Sequence, residues 1–340
     1  MMNYRKQRTF YGVCLLIMCA VIGVLSGCAA KAAAQTPTPS APAPSTPAPD
    51  GTGNASKVYM TTDISPAGLA AVYEALGRTL PGKVAVKLST GEPGGHHFLS
   101  PDLIKDLVQS VKGTIVESNT AYGGRRANTA MHKQVAIDHG FTAIAAVDIL
   151  DENDSLSLPV TKGKNLRENF VGSHFSNYDS YLVLSHFKGH AMAGFGGAIK
   201  NISIGIASSQ GKSWIHSGGK SKTNPWGGAQ NAFLESMAEA AGAVMDHLGE
   251  RIVYINVMNY LSVDCDCSSN PTPPELDDIG IFASLDPVAL DKACVDQIYA
   301  SDTQRSASLR TRFESRNGLL TLEHAAGIGL GSLEYDLIKL

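Results

Sequence analysis

The segment Ser185-His186-Phe187-Lys188-Gly189-His190, continuing into Gly194-Phe195-Gly196-Gly197-Ala198-Ile199-Lys200-Asn201, holds the densest set of chemically capable side chains in the chain. It follows the apolar run Tyr181-Leu182-Val183-Leu184. A run of that kind, bounded by glycine, reads as a buried strand opening into a polar loop. In an α/β protein such loops hold ligands. Lys188 and His190 are the candidate catalytic residues, because amine and imidazole can both move protons near neutral pH when their surroundings shift them.

Three further patterns add chemistry. Asp264-Cys265-Asp266-Cys267 supplies thiols which, with His186, His190 and His216, make a soft-donor set suited to a divalent metal, zinc or iron. The alternative is a tight polar turn with one of its cysteines bridged to Cys294. A bridge between Cys265 and Cys267 themselves is not expected, since extended geometry sends their side chains to opposite faces. Gly194 to Gly197 open a helix predicted over Phe195–Ile206, so backbone N–H groups around Gly196 and Gly197 can receive an anion, with Lys188, Lys200 and Asn201 beside them. The competing reading is that these glycines only permit close packing. Arg125 and Arg126 follow a Gly-Gly turn; Arg125 is taken as the anion ligand, though one of the pair can instead meet a surface acid. No spacing here matches a nucleotide-binding fingerprint.

These residues need a scaffold. Strands are predicted at Val58–Thr61, Val84–Leu88, Thr114–Glu117, Tyr181–Ser185, Arg251–Val257 and Ile279–Ala283. Helices are predicted at Pro66–Leu80, Pro101–Val111, Ala127–His139, Ala229–Leu248 and Pro287–Tyr299, besides the glycine-led one. The clearest is Ala229–Leu248, where Phe233, Met237, Ala240, Val244 and Leu248 share one face. The alternation implies an α/β fold: a mostly parallel, Rossmann-like sheet with helices on both faces. Leu156–Val160 and Asn169–Ser173 suggest a small additional β element. Polar clusters follow five of the strands, the last at Asp286, and parallel strands would bring them all to one edge.

The ends bound the compartment. Arg5-Lys6-Gln7-Arg8 precedes an apolar segment from Val13 to Leu25 and then Ser26-Gly27-Cys28, which reads as a lipoprotein signal over residues 1–28 with Cys28 as the lipidated residue. Residues 29–56 are rich in Ala, Pro, Thr and Ser, a composition that buries little apolar surface, and read as a tether. Residues 57–340 read as a single α/β domain. The expected place is the extracytoplasmic side of a cell membrane, held by lipid. With 28 Lys and Arg against 31 Asp and Glu, and no long basic run after the signal, nucleic acid is not expected as a partner.

Taken in order, these segments resemble the domain-of-unknown-function 362 family. The likeness runs from about Val58 to Leu340. It rests on Gly91-Glu92, Asn119-Thr120 with Tyr122 to Arg125, Ser185 to His190, Gly194 to Asn201, His216-Ser217, Asp264 to Cys267, Asp277 to Ser284, Asp286 to Asp291 and Gly327 to Ser332. Many similar chains carry a ferredoxin module after the His-Ser step. Here His216-Ser217 runs directly through Trp226 into the next helix and no Cys-x2-Cys-x2-Cys run exists, so no iron–sulfur cluster is expected. The expectation is a lipid-anchored, metal-binding protein, in one form a metal-dependent enzyme acting on a small anionic molecule. Two alternatives stand beside it. One is a non-catalytic metal or solute carrier, and the other a degenerate relative of iron–sulfur redox proteins that works with a redox partner.

Overall fold

In the computed structural model, which describes residues 55–340, the chain folds around a central sheet. The lipoprotein signal, Cys28 and nearly all of the tether lie outside the described residues. Twelve strands occur among the described residues: β1 (Ser56–Thr61), β2 (Val84–Lys87), β3 (Thr114–Glu117), β4 (Val147–Ile149), β5 (Ser155–Pro159), β6 (Glu168–Gly172), β7 (Ser180–His186), β8 (Lys188–His190), β9 (Gly194–Gly196), β10 (Ile252–Met258), β11 (Gly280–Ser284) and β12 (Tyr335–Lys339). Eight of them form one sheet in the order β12-β1-β11-β10-β7-β2-β3-β4. The pair β5–β6 is the additional β element expected from Leu156–Val160 and Asn169–Ser173, and β8–β9 is a second small hairpin.

The helices are α1 (Pro66–Ala75), α2 (Pro101–Ser110), α3 (Thr129–Asp138), α4 (Ala198–Ser203), α5 (Ser209–His216), α6 (Gln230–Leu248), α7 (Pro287–Ala300), α8 (Ala307–Ser315) and α9 (Leu320–Gly327). Their starts are written locally. Ser65 caps α1 by accepting from the Gly68 N–H, Asn128 caps α3 through Met131, and Asp286 caps α7 through Val288 and Ala289, with proline early in α1, α2 and α7.

Strand alternation then assigns the faces. Tyr181 and Val183 of β7 join one apolar cluster with Phe233, Met237 and Val244 of α6, whereas Leu182 and Leu184 join another with Leu69 of α1 and Leu107 of α2. The sheet is therefore covered on both sides, as an α/β fold requires.

Two expectations fail here. First, β11 runs antiparallel to both β1 and β10, while β10–β7, β7–β2, β2–β3 and β3–β4 are parallel. Asp286, after β11, consequently lies at the opposite edge of the sheet, where it caps α7 and accepts from Ser56 and the Ser332 N–H. Second, no helix spans Phe195–Ile206. Gly194 to Gly196 is strand, paired with Lys188 to His190, and α4 begins only at Ala198. Gly194 adopts φ 82°, left-handed backbone that suits glycine and turns the chain out of a helical path.

Candidate anion-binding site

The C-terminal ends of β2, β3, β7 and β10 share an edge, and a cleft of about 400 Å³ opens there. Its character comes from charge. Lys87 ends β2, Glu117 ends β3, Arg126 sits in the turn at Arg125–Ala127, Lys188 lies in β8, Lys200 in α4 and Lys212 in α5, and all of them line the cleft.

Three of the five cations have carboxylates. Lys87 Nζ donates to Glu117 Oε2 at 3.0 Å, and the pair is almost fully buried. Arg126 donates to Glu92 Oε2 at 2.8 Å and to the Tyr122 hydroxyl at 2.9 Å, with Glu117 Oε1 at 3.5 Å. Lys188 is ion-paired with Asp266 and also faces the His97 carbonyl at 3.3 Å. Burial would raise the Asp266 carboxyl, but Lys188 and His186 hold it far below the usual carboxylate range. Lys200 and Lys212 pair with no carboxylate among the described residues. Burial, reinforced by the charges of Lys87 and Arg126, lowers Lys200 to about 8. Lys212, whose ammonium donates to the Ala207 and Ser118 carbonyls, is lowered by burial to about 7.

Two histidines on the cleft wall are neutral and hold opposite tautomers. His190 Nδ1 accepts from the backbone N–H of Met192 at 3.2 Å and of Ala193 at 2.9 Å, which leaves the ring proton on Nε2. Burial holds its pKa well below the ordinary value. His216 Nδ1 donates to the Lys212 carbonyl at 2.7 Å, its ring stacks on Phe233, and burial lowers it to about 4, so Nε2 keeps a lone pair. One ring thus offers a hydrogen-bond donor and the other an acceptor to a molecule bound in the cleft.

Several residues singled out in the sequence are placed differently. Arg125 is exposed and pairs with Asp138 on the surface; Arg126, its neighbour, is the one turned into the cleft. Both ring nitrogens of His186 face oxygen acceptors, Asp266 Oδ1 at 3.2 Å and the Asn259 carbonyl at 2.6 Å, which leaves neither for a metal. Asn201 lines the cleft, and its amide N–H groups go to the carbonyls of Lys87 and Leu184 and to Ser185, tying β2 to β7. Gly196 and Gly197 do line the cleft, but the amides beyond them at Ala198 and Ile199 are taken by the buried Asp291 carboxylate at 2.7 and 3.0 Å. Asp291, pushed up by burial to about 6, also accepts from Asn256, and a Cβ on Gly197 would stand 2.3 Å from it.

The cysteines depart furthest from expectation. Cys265 and Cys267 are disulfide-bonded to each other, and Cys294 is a free, buried thiol beside Asn256. The loop is not extended at this point; it turns, and the Cα atoms lie 5.3 Å apart, within reach of a bridge. A ring nitrogen of His190 and both sulfurs lie within 4.8 Å of one another, a candidate metal-binding group by position. His216 is not part of it. In the state described here the donors do not suit a metal: the sulfurs are joined, and His190 has one nitrogen occupied by two amides and the other protonated. A second group, Asp148, Glu152 and His174, lies apart from the cleft; there His174 Nδ1 meets Asp148 at 2.9 Å and Tyr178 donates to Asp148 at 2.9 Å.

Lys87, Glu117 and Lys212 were not singled out in the sequence. A signal existed for two of them, since Val84-Ala85-Val86-Lys87 and Thr114-Ile115-Val116-Glu117 each end a buried strand on a charge.

Comparisons with known proteins place the chain. Among curated proteins none matches it. Among solved structures it is similar to the lactate racemase apoprotein from Thermoanaerobacterium thermosaccharolyticum, at 16% identity and TM-score 0.34 over 58% of this chain and 50% of that one. It is also similar to a protein from Thermotoga maritima, at 13% identity and TM-score 0.36 over 77% of this chain and 58% of that one. The chain therefore spans half the length of the first and somewhat more than half of the second. A family model described as Domain of unknown function (DUF362) matches residues 84–296, a stretch that contains every residue lining the cleft. The chain belongs to the DUF362 family.

Proposed function

We propose that this protein is an extracytoplasmic, lipid-anchored member of its family whose cleft binds a small anionic molecule. The observation that carries the reading is the charge surplus. Once Lys87, Arg126 and Lys188 are matched to Glu117, Glu92 and Asp266, two lysines in a largely desolvated cleft have no carboxylate in ion-pair contact among the described residues, and the nearby Asp151, Glu117 and Asp266 do not offset the burial that lowers them. Desolvated cations without partners are costly, and an entering anion offsets that cost. The test is calorimetric titration with malonate at low and high salt. Saturable binding that weakens with salt supports the reading, and heats no larger than dilution overturn it.

The anchor is tested separately. A Cys28→Ser change should move the protein from the membrane fraction to the soluble one on fractionation; retention in the membrane would mean the N-terminal segment is an uncleaved span.

A second reading is favoured by the proximity of His190, Cys265 and Cys267. In it, zinc or iron binds these residues once the bridge is reduced and the His190 proton is displaced. Elemental analysis should then find near-stoichiometric metal only after reduction, and none in a Cys265→Ser, Cys267→Ser variant. Absence of metal from the reduced parent would remove this reading.

A further inference from the structure

The disulfide between Cys265 and Cys267 is not buried in a core, where structural bridges sit. It lines the same cleft as the surplus cations. The loop that carries it is fixed from several sides. Gly189 donates to the Ser262 carbonyl at 2.9 Å, and a Cβ there would stand 2.4 to 2.6 Å from Val263 backbone, so only glycine lets β8 approach this closely. The Asp266 carbonyl accepts from the Glu92 N–H at 2.8 Å, and its side chain is held by Lys188 and His186. Asp264 accepts from Thr272 through both its backbone N–H and its hydroxyl. The two sulfurs are not equivalent. Cys265 Sγ accepts from the Cys267 N–H at 3.4 Å and is half-buried, while Cys267 is the more open. A ring nitrogen of His190 lies within 4.8 Å of both sulfurs, and the ring carries its one proton on Nε2.

We propose that the Cys265–Cys267 bridge is a thiol–disulfide exchange centre that accepts electrons from small thiols bearing carboxylates. The thiolate attacks Cys267, the accessible sulfur; the bond to Cys265 breaks, and Cys265 leaves as a thiolate. The Cys267 N–H and the His190 Nε2–H receive that charge. A second thiolate then attacks the substrate sulfur of the mixed disulfide and releases Cys267. Two thiols are oxidised to one disulfide, the protein bridge is reduced to two thiols, and the two substrate protons end on the cysteines. The exchange is stoichiometric in the protein. Its preference for anionic thiols rests on the anion-binding reading above, because Lys200 and Lys212 supply the attraction.

The experiment uses the full-length chain in detergent and two reductants at matched thiolate concentration: mercaptosuccinate, a dicarboxylate, and 2-mercaptoethanol, which is neutral. Samples are alkylated at intervals and the reduced cysteines counted by mass. Mercaptosuccinate should open the bridge about tenfold faster at low salt, with the advantage shrinking in high salt. After exposure to the mercaptosuccinate disulfide, Cys265→Ser should hold a mixed disulfide at Cys267. Equal rates for the two thiols, or a bridge that opens only on unfolding, would overturn the proposal. A malonate titration on the same sample separates the failures. Malonate binding with equal rates sinks the exchange proposal alone, whereas no malonate binding sinks both.

Discussion

Glu117→Gln is expected to lower the unfolding free energy at neutral pH by about 3–5 kcal/mol, the cost of stranding a buried charge by removing its partner. Glu117 faces Lys87 Nζ at 3.0 Å, Arg126 at 3.5 Å and the Thr90 N–H at 3.0 Å, with little of any of these side chains exposed. Burial alone would raise its pKa, but Lys87, His132 and Arg126 hold it at about 2. A carboxylate lowered on folding contributes stability that is complete above its ordinary pKa of about 4.5 and is lost as pH falls toward 2. The variant should lose that part of the acid dependence. Urea unfolding at neutral and acid pH measures both effects. Adding Lys87→Met should restore much of the loss, because it removes the stranded cation, while Arg126 keeps Glu92. An unchanged urea midpoint would show that Lys87 finds solvent or another acceptor when Glu117 is neutral.

The scaffold was legible because its rules are local. Buried strands are short apolar runs, and six of them were placed within a residue or two, as was the buried stripe of α6. The direction of β11 is not local, yet it left a trace. A parallel neighbour needs a crossover long enough to pass over the sheet, usually a helix, and the segment between Met258 and Gly280 has no helical periodicity. The edge strand β4 has only three residues, and the edge strand β12 is half-exposed with Asp336 and Lys339 interrupting its apolar residues, so neither presents a buried apolar run.

The site was half legible for a related reason. Sequence marks which loops carry polar residues, and those after β2, β3, β7 and β10 do converge. It does not mark which partner each residue finds. Arg125 and Arg126 are adjacent in a turn, and only packing decides that one meets Asp138 and the other Glu92. The amides after Gly197 were open to an anion on local grounds; the occupant is Asp291, supplied by α7 from far along the chain. The cysteine bridge needed the loop to turn at Asp266, which is held there by His186 of β7 and Lys188 of β8.

Anion affinity should fall about tenfold or more between pH 7 and 9, because Lys200 and Lys212 stand near 8 and 7 in the unliganded protein and an anion beside them raises both. Binding therefore takes up protons wherever the free lysines are partly neutral, and the heat of malonate binding should depend on the ionisation enthalpy of the buffer. Lys200→Met and Lys212→Met should each weaken binding by about 2 kcal/mol or more, the loss expected when one member of a buried charge pair is truncated. Their effect on the free protein has the opposite sign. A lysine lowered on folding from its ordinary 10.5 carries a cost that is present below the folded pKa and relieved as pH rises through that window, so the parent should gain stability from about pH 7 to 10. The methionine variants should show that slope reduced and be no less stable than the parent at neutral pH. Weaker binding together with undiminished stability would identify the two lysines as groups held for the ligand rather than for the fold. A flat pH profile of malonate affinity would mean that neither meets the anion, and that other cations of the cleft, such as Arg126, which is charged throughout this range, receive it.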